Sequence, residues 1–210
     1  MEKFIKSSGK YFVNLVIYIL IGAGLIFLVF GDYLRLSGFA VSILLILLPH
    51  YWYSRSPKFQ RKVDKIFIDL AQVIIAFACF ANFFGSVDFY SNPKFWWYDS
   101  ALHFINPSFI FLITALFVVL FQLHFFQKSY LSITLIVNFV LIIFCSFLWE
   151  FYEYIIDAIF TGASMFGQNG EIYTDTLTDL SADLAGGLAA TWLIYKYFYG
   201  YILRNVKLGD

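Results

Sequence analysis

Apolar residues run along this chain in six long stretches, about 11 to 30, 34 to 52, 66 to 86, 99 to 123, 130 to 154 and 176 to 200, with charges gathered between them. Each approaches the roughly 20 residues a helix needs to cross the apolar core of a bilayer. In hydrocarbon a spanning segment must satisfy its own backbone hydrogen bonds. The pattern therefore predicts an all-α, polytopic membrane helix bundle of about six transmembrane helices, forming a single integral membrane domain over residues 1–210. The first stretch follows three lysines but shows no small-residue cleavage site, so it reads as a retained anchor.

Composition agrees with the pattern: 61% of residues are hydrophobic, 13% are charged, and the mean hydropathy is +0.76. These values exclude an ordinary soluble domain. A formal net charge of zero without a long basic run excludes nucleic acid as the expected partner and leaves membrane lipids. With the N-terminus inside, all of the 14 lysines and arginines except Arg35 and Lys94 fall on the inner side. That asymmetry predicts that both termini are cytoplasmic. Cys79 and Cys145 lie inside spans without metal or redox spacing and read as packing residues. Tyr51-Trp52-Tyr53 and Trp96-Trp97-Tyr98 fall where interfacial aromatic belts belong.

The chemistry is concentrated at one side. All of the 14 carboxylates except Glu2, Asp64, Asp69 and Asp210 belong to outer loops or outer helix ends. Asp175, Asp179 and Asp183 are spaced at four residues and form a stripe on one helical face, with Asp183 about 12 Å deeper than Asp175. An aspartate at the centre of a membrane helix costs about 2.5 to 3.5 kcal/mol on insertion scales. The stripe therefore needs a metal, basic groups, shared protons or a water-filled cavity.

Two other spans add matching groups at their outer ends. Asp99 and His103 are one turn apart, and Asn106-Pro107 just below can open a polar pocket. Glu150, Glu153 and Asp157 share a face of the fifth span, and Gly186-Gly187 permits close helix approach at the lower end of the stripe. Singly, each polar residue is compatible with a helix cap, a solvated interfacial group or a hydrogen-bonded core residue. Together, on sequential spans with short connections, they predict one outward-facing pocket.

Carboxylates with one imidazole suit a divalent ion such as Mg²⁺, Mn²⁺, Ca²⁺ or Zn²⁺. In that reading Glu150, Asp175, Asp179 and Asp183 are the metal ligands. His103, oriented by Asp99, is the catalytic acid or base, and Glu153 assists proton transfer. The activity expected is hydrolysis or group transfer on a lipid or lipid-linked envelope substrate. Two further readings stand beside it: a proton- or cation-coupled transporter or channel, and a noncatalytic scaffold whose acids hold helices together. Oligomeric state is not expressed in the pattern.

The order Tyr98-Asp99-x-x-x-His103-Phe104, then Glu150-x-x-Glu153, then Gly-Gln-Asn-Gly-Glu171, then Asp175-x-x-x-Asp179 with Gly186 seven residues on, resembles the YjdF-like bacterial inner-membrane proteins. It is more distantly similar to the VanZ-like family. The resemblance covers about residues 98 to 190 and implies a multi-pass protein of the bacterial cytoplasmic membrane. It marks Asp99, His103, Glu150, Glu153, Asp175, Asp179 and Gly186 as motif positions and implies no particular reaction.

Overall fold

The computed structural model describes residues 2–90, 92–159 and 172–206. Helices α1 Glu2–Val29, α2 Tyr33–Arg55, α3 Pro57–Lys62, α4 Lys65–Phe84, α5 Tyr98–Phe126, α6 Leu131–Ile159, α7 Ile172–Leu193 and α8 Tyr199–Asn205 account for nearly all of the described residues, and none of these forms a strand. Short π turns at Gly85–Phe89 and Ile194–Phe198 follow α4 and α7, and the second carries the helical path into α8. The all-α class follows from the apolar spans. Five of them, in α1, α2, α4, α5 and α6, are long and apolar enough to cross a membrane. The sixth stretch, α7, is a comparable 22 residues and carries the three stripe aspartates.

Local chemistry sets the helix ends. Gly31 adopts φ +73°, which costs a residue without Cβ nothing, and the amides of Gly31 and Asp32 turn back to the carbonyls of Leu28 and Phe27. Asp32 then caps α2 by accepting from the Arg35 amide at 3.1 Å, and Asp64 caps α4 by accepting from the Ile66 amide at 2.9 Å.

The chain divides into two compact units, one running through Ser86 and resuming at Asn205, the other from Val87 to Arg204. In the first, Val13, Val16, Leu20 and Ala23 recur at helical spacing along α1 and pack with Phe39 and Ile46 of α2 and Ala76 and Cys79 of α4. Polar residues join the same helices: His50 Nε2 lies 2.9 Å from Asp69, which also pairs with Lys65, and Gln72 donates to the Ile46 carbonyl at 3.1 Å. Asn82 donates within its own helix, to the Ala78 carbonyl. The short chain end returns to this unit through an antiparallel bridge between Val63 and Val206.

The second unit is built from α5, α6 and α7, with Phe111, Ile142 and Ala190 in contact at its centre. Its outward faces are apolar, with Phe117, Phe121 and Phe125 of α5 and Ile136, Val140, Phe144 and Phe147 of α6 exposed. Several polar side chains are turned inward. Thr114 donates to Asn138 at 2.7 Å, Asn138 donates to the Phe111 carbonyl, and Gln122 donates to Thr134 at 2.8 Å. Such pairs keep buried polar groups satisfied where no water is at hand.

Candidate functional site

Two adjacent glycines bring α7 against different neighbours. A Cβ on Gly186 would overlap the carbonyl of Phe104 in α5, and a Cβ on Gly187 would stand 2.6 Å from Ile142 Cδ1 in α6. The hydroxyl of Ser108 lies 2.7 Å from the Phe104 carbonyl and 3.0 Å from that of Gly186, bridging the close pair. Asp183 is three residues before Gly186, so the approach that needs this glycine also carries the aspartate stripe to His103, one residue before Phe104. Pro107 adds a second local effect. It has no N–H, so the carbonyl of His103 lacks the helical donor it would ordinarily receive from position 107.

Around His103 the three helices converge. His103, Glu150, Glu153, Asp179 and Asp183 are each between 2% and 6% exposed. His103 Nδ1 sits 3.2 Å from Asp183 Oδ1, while Nε2 lies 3.8 Å from Asp99 Oδ1 and 3.9 Å from Asp179 Oδ2. Donor atoms of Asp99, His103 and Asp179 all lie within 4.8 Å of one another, and so do those of His103, Glu150 and Glu153. Bonds of about 2.1 Å to a divalent ion put neighbouring donors roughly 3.0 to 3.5 Å apart, so small side-chain shifts close either set on an ion.

The unmet valences of these acids are as informative as their positions. Among the described residues, both oxygens of Glu150, Oε2 of Glu153 and Oδ2 of Asp179 are buried without a hydrogen-bond partner. Thr176 is the hydroxyl that bears on Glu150, without ordinary hydrogen-bond geometry. No lysine or arginine among the described residues pairs with Asp99, Glu150, Glu153, Asp179 or Asp183. A buried carboxylate with neither donor nor counter-charge is expensive, so the arrangement requires cations or protons.

The residues expected from sequence are thus distributed as follows. Asp99, His103, Glu150, Glu153, Asp179 and Asp183 come together. Asp175 lies in the first turn of α7 and belongs to neither donor set, and Asp157 is likewise outside them. Glu171 and the Gly-Gln-Asn-Gly connection fall outside the described residues. The sequence predicts Asp183 of the stripe as a metal ligand and Asp99, on the same helix as His103, as the partner orienting that histidine. In the structure Asp183 occupies the Nδ1 side and Asp99 the Nε2 side.

Trp149 and Tyr90 are participants the sequence pattern does not single out, and Asn106, expected only to help open a polar pocket, is a third. The Trp149 indole donates from Nε1 to Glu153 Oε1 at 2.8 Å, leaving Oε2 of Glu153 for the centre. The i,i+4 spacing of Trp149 and Glu153 carried that signal. Asn106 Oδ1 is buried without a partner among the described residues, one turn below His103. Tyr90, in the connection before α5, packs edge-on to Tyr98 with ring centroids 6.0 Å apart. Burial foremost, then Asp99, Tyr98, Glu153 and Asp179, push its phenol well above the ordinary value, so it stays a neutral O–H group near the acids.

Comparison with known proteins gave one family. No curated protein and no solved structure matched the chain. The model of the family described as "Predicted membrane protein (DUF2238)" matches residues 13–200, taking in the apolar spans and every member of the acid–histidine cluster, and the chain belongs to that family of membrane proteins.

Proposed function

We propose that this membrane protein binds a divalent cation among Asp99, His103, Glu150, Glu153 and Asp179, and uses it to hydrolyse or transfer a group on a lipid or lipid-linked substrate. The observation that carries the reading is Glu150, buried with both carboxylate oxygens unpartnered beside a second buried carboxylate and an imidazole. The donor chemistry fits Mg²⁺, Mn²⁺, Ca²⁺ or Zn²⁺. Such an ion, when bound, polarises a phosphoryl or carbonyl oxygen and acidifies water. His103 faces it with Nε2, and Asp183 holds the ring through Nδ1, the arrangement in which a carboxylate fixes the tautomer of a ligating histidine. Asp99 keeps some contact with the exterior and provides the exit for a proton. The apolar outer faces of α5 and α6 favour a substrate that reaches the site from the lipid.

The charge asymmetry of the loops supports cytoplasmic termini and a site opening on the opposite, envelope side of a bacterial inner membrane. The YjdF-like resemblance, with its more distant VanZ-like echo, is compatible with that placement. A transport path is less favoured. Every carboxylate of α5, α6 and α7 lies toward the Tyr98 end, and the buried polar groups beyond it, Thr114, Asn138, Gln122 and Thr134, are engaged with one another.

Mass spectrometry of metals in gently purified protein tests the reading. Wild type, as isolated or after exposure to the four ions, should retain a divalent ion, and folded Glu150→Gln and Asp179→Asn proteins should each hold markedly less metal than wild type. Retained ion should accompany release of phosphate or acyl product from lipid esters in proteoliposomes. Wild type that holds no ion after loading would refute the proposal.

A further inference from the structure

We infer that the cluster is built for two divalent cations, one held by Asp99, His103 and Asp179 and the other by Glu150 and Glu153. The inference rests on the cation-site reading above and specifies its stoichiometry. The two donor sets share His103 alone: Asp99 and Asp179 complete one, from α5 and α7, and Glu150 and Glu153 complete the other, from α6. One ring nitrogen serves one ion, and Nδ1 is occupied by Asp183 at 3.2 Å. The Nε2 side therefore belongs to a single ion with Asp99 and Asp179, at 3.8 and 3.9 Å from that nitrogen. The second ion relies on Glu150 and Glu153 completed by water, a ligand set that Mg²⁺ and Mn²⁺ accept.

Charge leads to the same count. Asp99, Glu150, Glu153, Asp179 and Asp183 place five carboxylates around one imidazole, with no lysine or arginine among the described residues to offset them. With all five acids ionised and the imidazole neutral, the forms in which they act as ligands, one divalent ion leaves three negative charges in a region where four of the acids are almost fully buried; two leave one. The unpartnered oxygens are divided in the same way, with Asp179 Oδ2 in one set and the Glu150 oxygens and Glu153 Oε2 in the other. Two ions about 3.5 to 4 Å apart would clamp both the entering and the leaving oxygen of a displacement at phosphorus, which a single ion cannot do.

The test is Mn²⁺ loading of the full chain in lipid nanodiscs, read by metal analysis and low-temperature electron paramagnetic resonance. Wild type should take up two Mn²⁺ per chain and show an exchange-coupled spectrum. Glu150→Gln/Glu153→Gln and Asp179→Asn should each bind one ion with an uncoupled signal. One uncoupled ion in saturated wild type would overturn the two-ion centre while leaving the single-cation reading intact. Two ions that remain uncoupled, or that both variants retain, would place one of them elsewhere and overturn it as well. No ion would remove both.

Discussion

Asp183 and Asp99 approach opposite nitrogens of one imidazole, and this decides what each can do. A proton on Nδ1 donated to Asp183 leaves the Nε2 lone pair facing Asp99 and Asp179. Carboxylates that orient a ligating histidine typically contribute about 10- to 100-fold to metal affinity. Asp183→Asn, which keeps the shape and removes the charge, should weaken Mn²⁺ binding by about tenfold or more in a calorimetric titration; unchanged affinity would reduce Asp183 to packing. Trp149 acts on Glu153 in a similar way, since its indole occupies one oxygen and leaves the other. A hydrogen bond to a charged group contributes about 1.5 to 3 kcal/mol, so Trp149→Phe should raise the dissociation constant of the ion at Glu150 and Glu153 by roughly tenfold. Trp192→Phe, at an exposed indole beside Lys196 and away from the cluster, should leave it unchanged.

At the scale of the helix, Gly186 and Gly187 differ in what limits them. The obstacle at Gly186 is the backbone carbonyl of Phe104, which moves only if α5 moves, whereas at Gly187 it is the side chain of Ile142. Overpacking costs about 1 to 3 kcal/mol, and at Gly186 the strain is transmitted to the register of Asp183 and His103. Gly186→Ala should therefore lower stability in a detergent unfolding titration and weaken cation binding together, while Gly187→Ala, which meets only the side chain of Ile142, should affect both less. Equal tolerance of the two single alanine changes would refute this division. The glycine pair was readable as a close approach, because small residues in a span have few other uses. Which helix met which glycine was not, since periodicity defines a face and not its neighbour. For the same reason the i,i+4 relation of Asp99 and His103 was visible in sequence, but the contact of His103 with Asp183, 80 positions away, was not. Asp175 shares the stripe yet lies in the first turn of α7, where the helix dipole already favours a carboxylate.

For the whole molecule, the two units resolve their buried charge differently. In the first, Asp69 has His50 and Lys65; in the second, the acids share the single imidazole of His103 with no lysine or arginine beside them among the described residues, and Lys196 lies over the Trp192 and Tyr197 rings. The helical spans and the side on which lysine and arginine accumulate follow from the solvent, since apolar length and charge asymmetry are what a bilayer selects, and both can be read without contacts. Orientation then determines which leaflet supplies the substrate. In a background lacking Cys79 and Cys145, Lys94→Cys should react with an impermeant maleimide on intact cells, and Arg61→Cys only after permeabilisation. Both positions are exposed, so access to the reagent and not burial controls the outcome. The reverse pattern would turn the acid–histidine cluster toward the cytoplasmic leaflet, and the envelope-side substrate would have to be abandoned even if the cation remained.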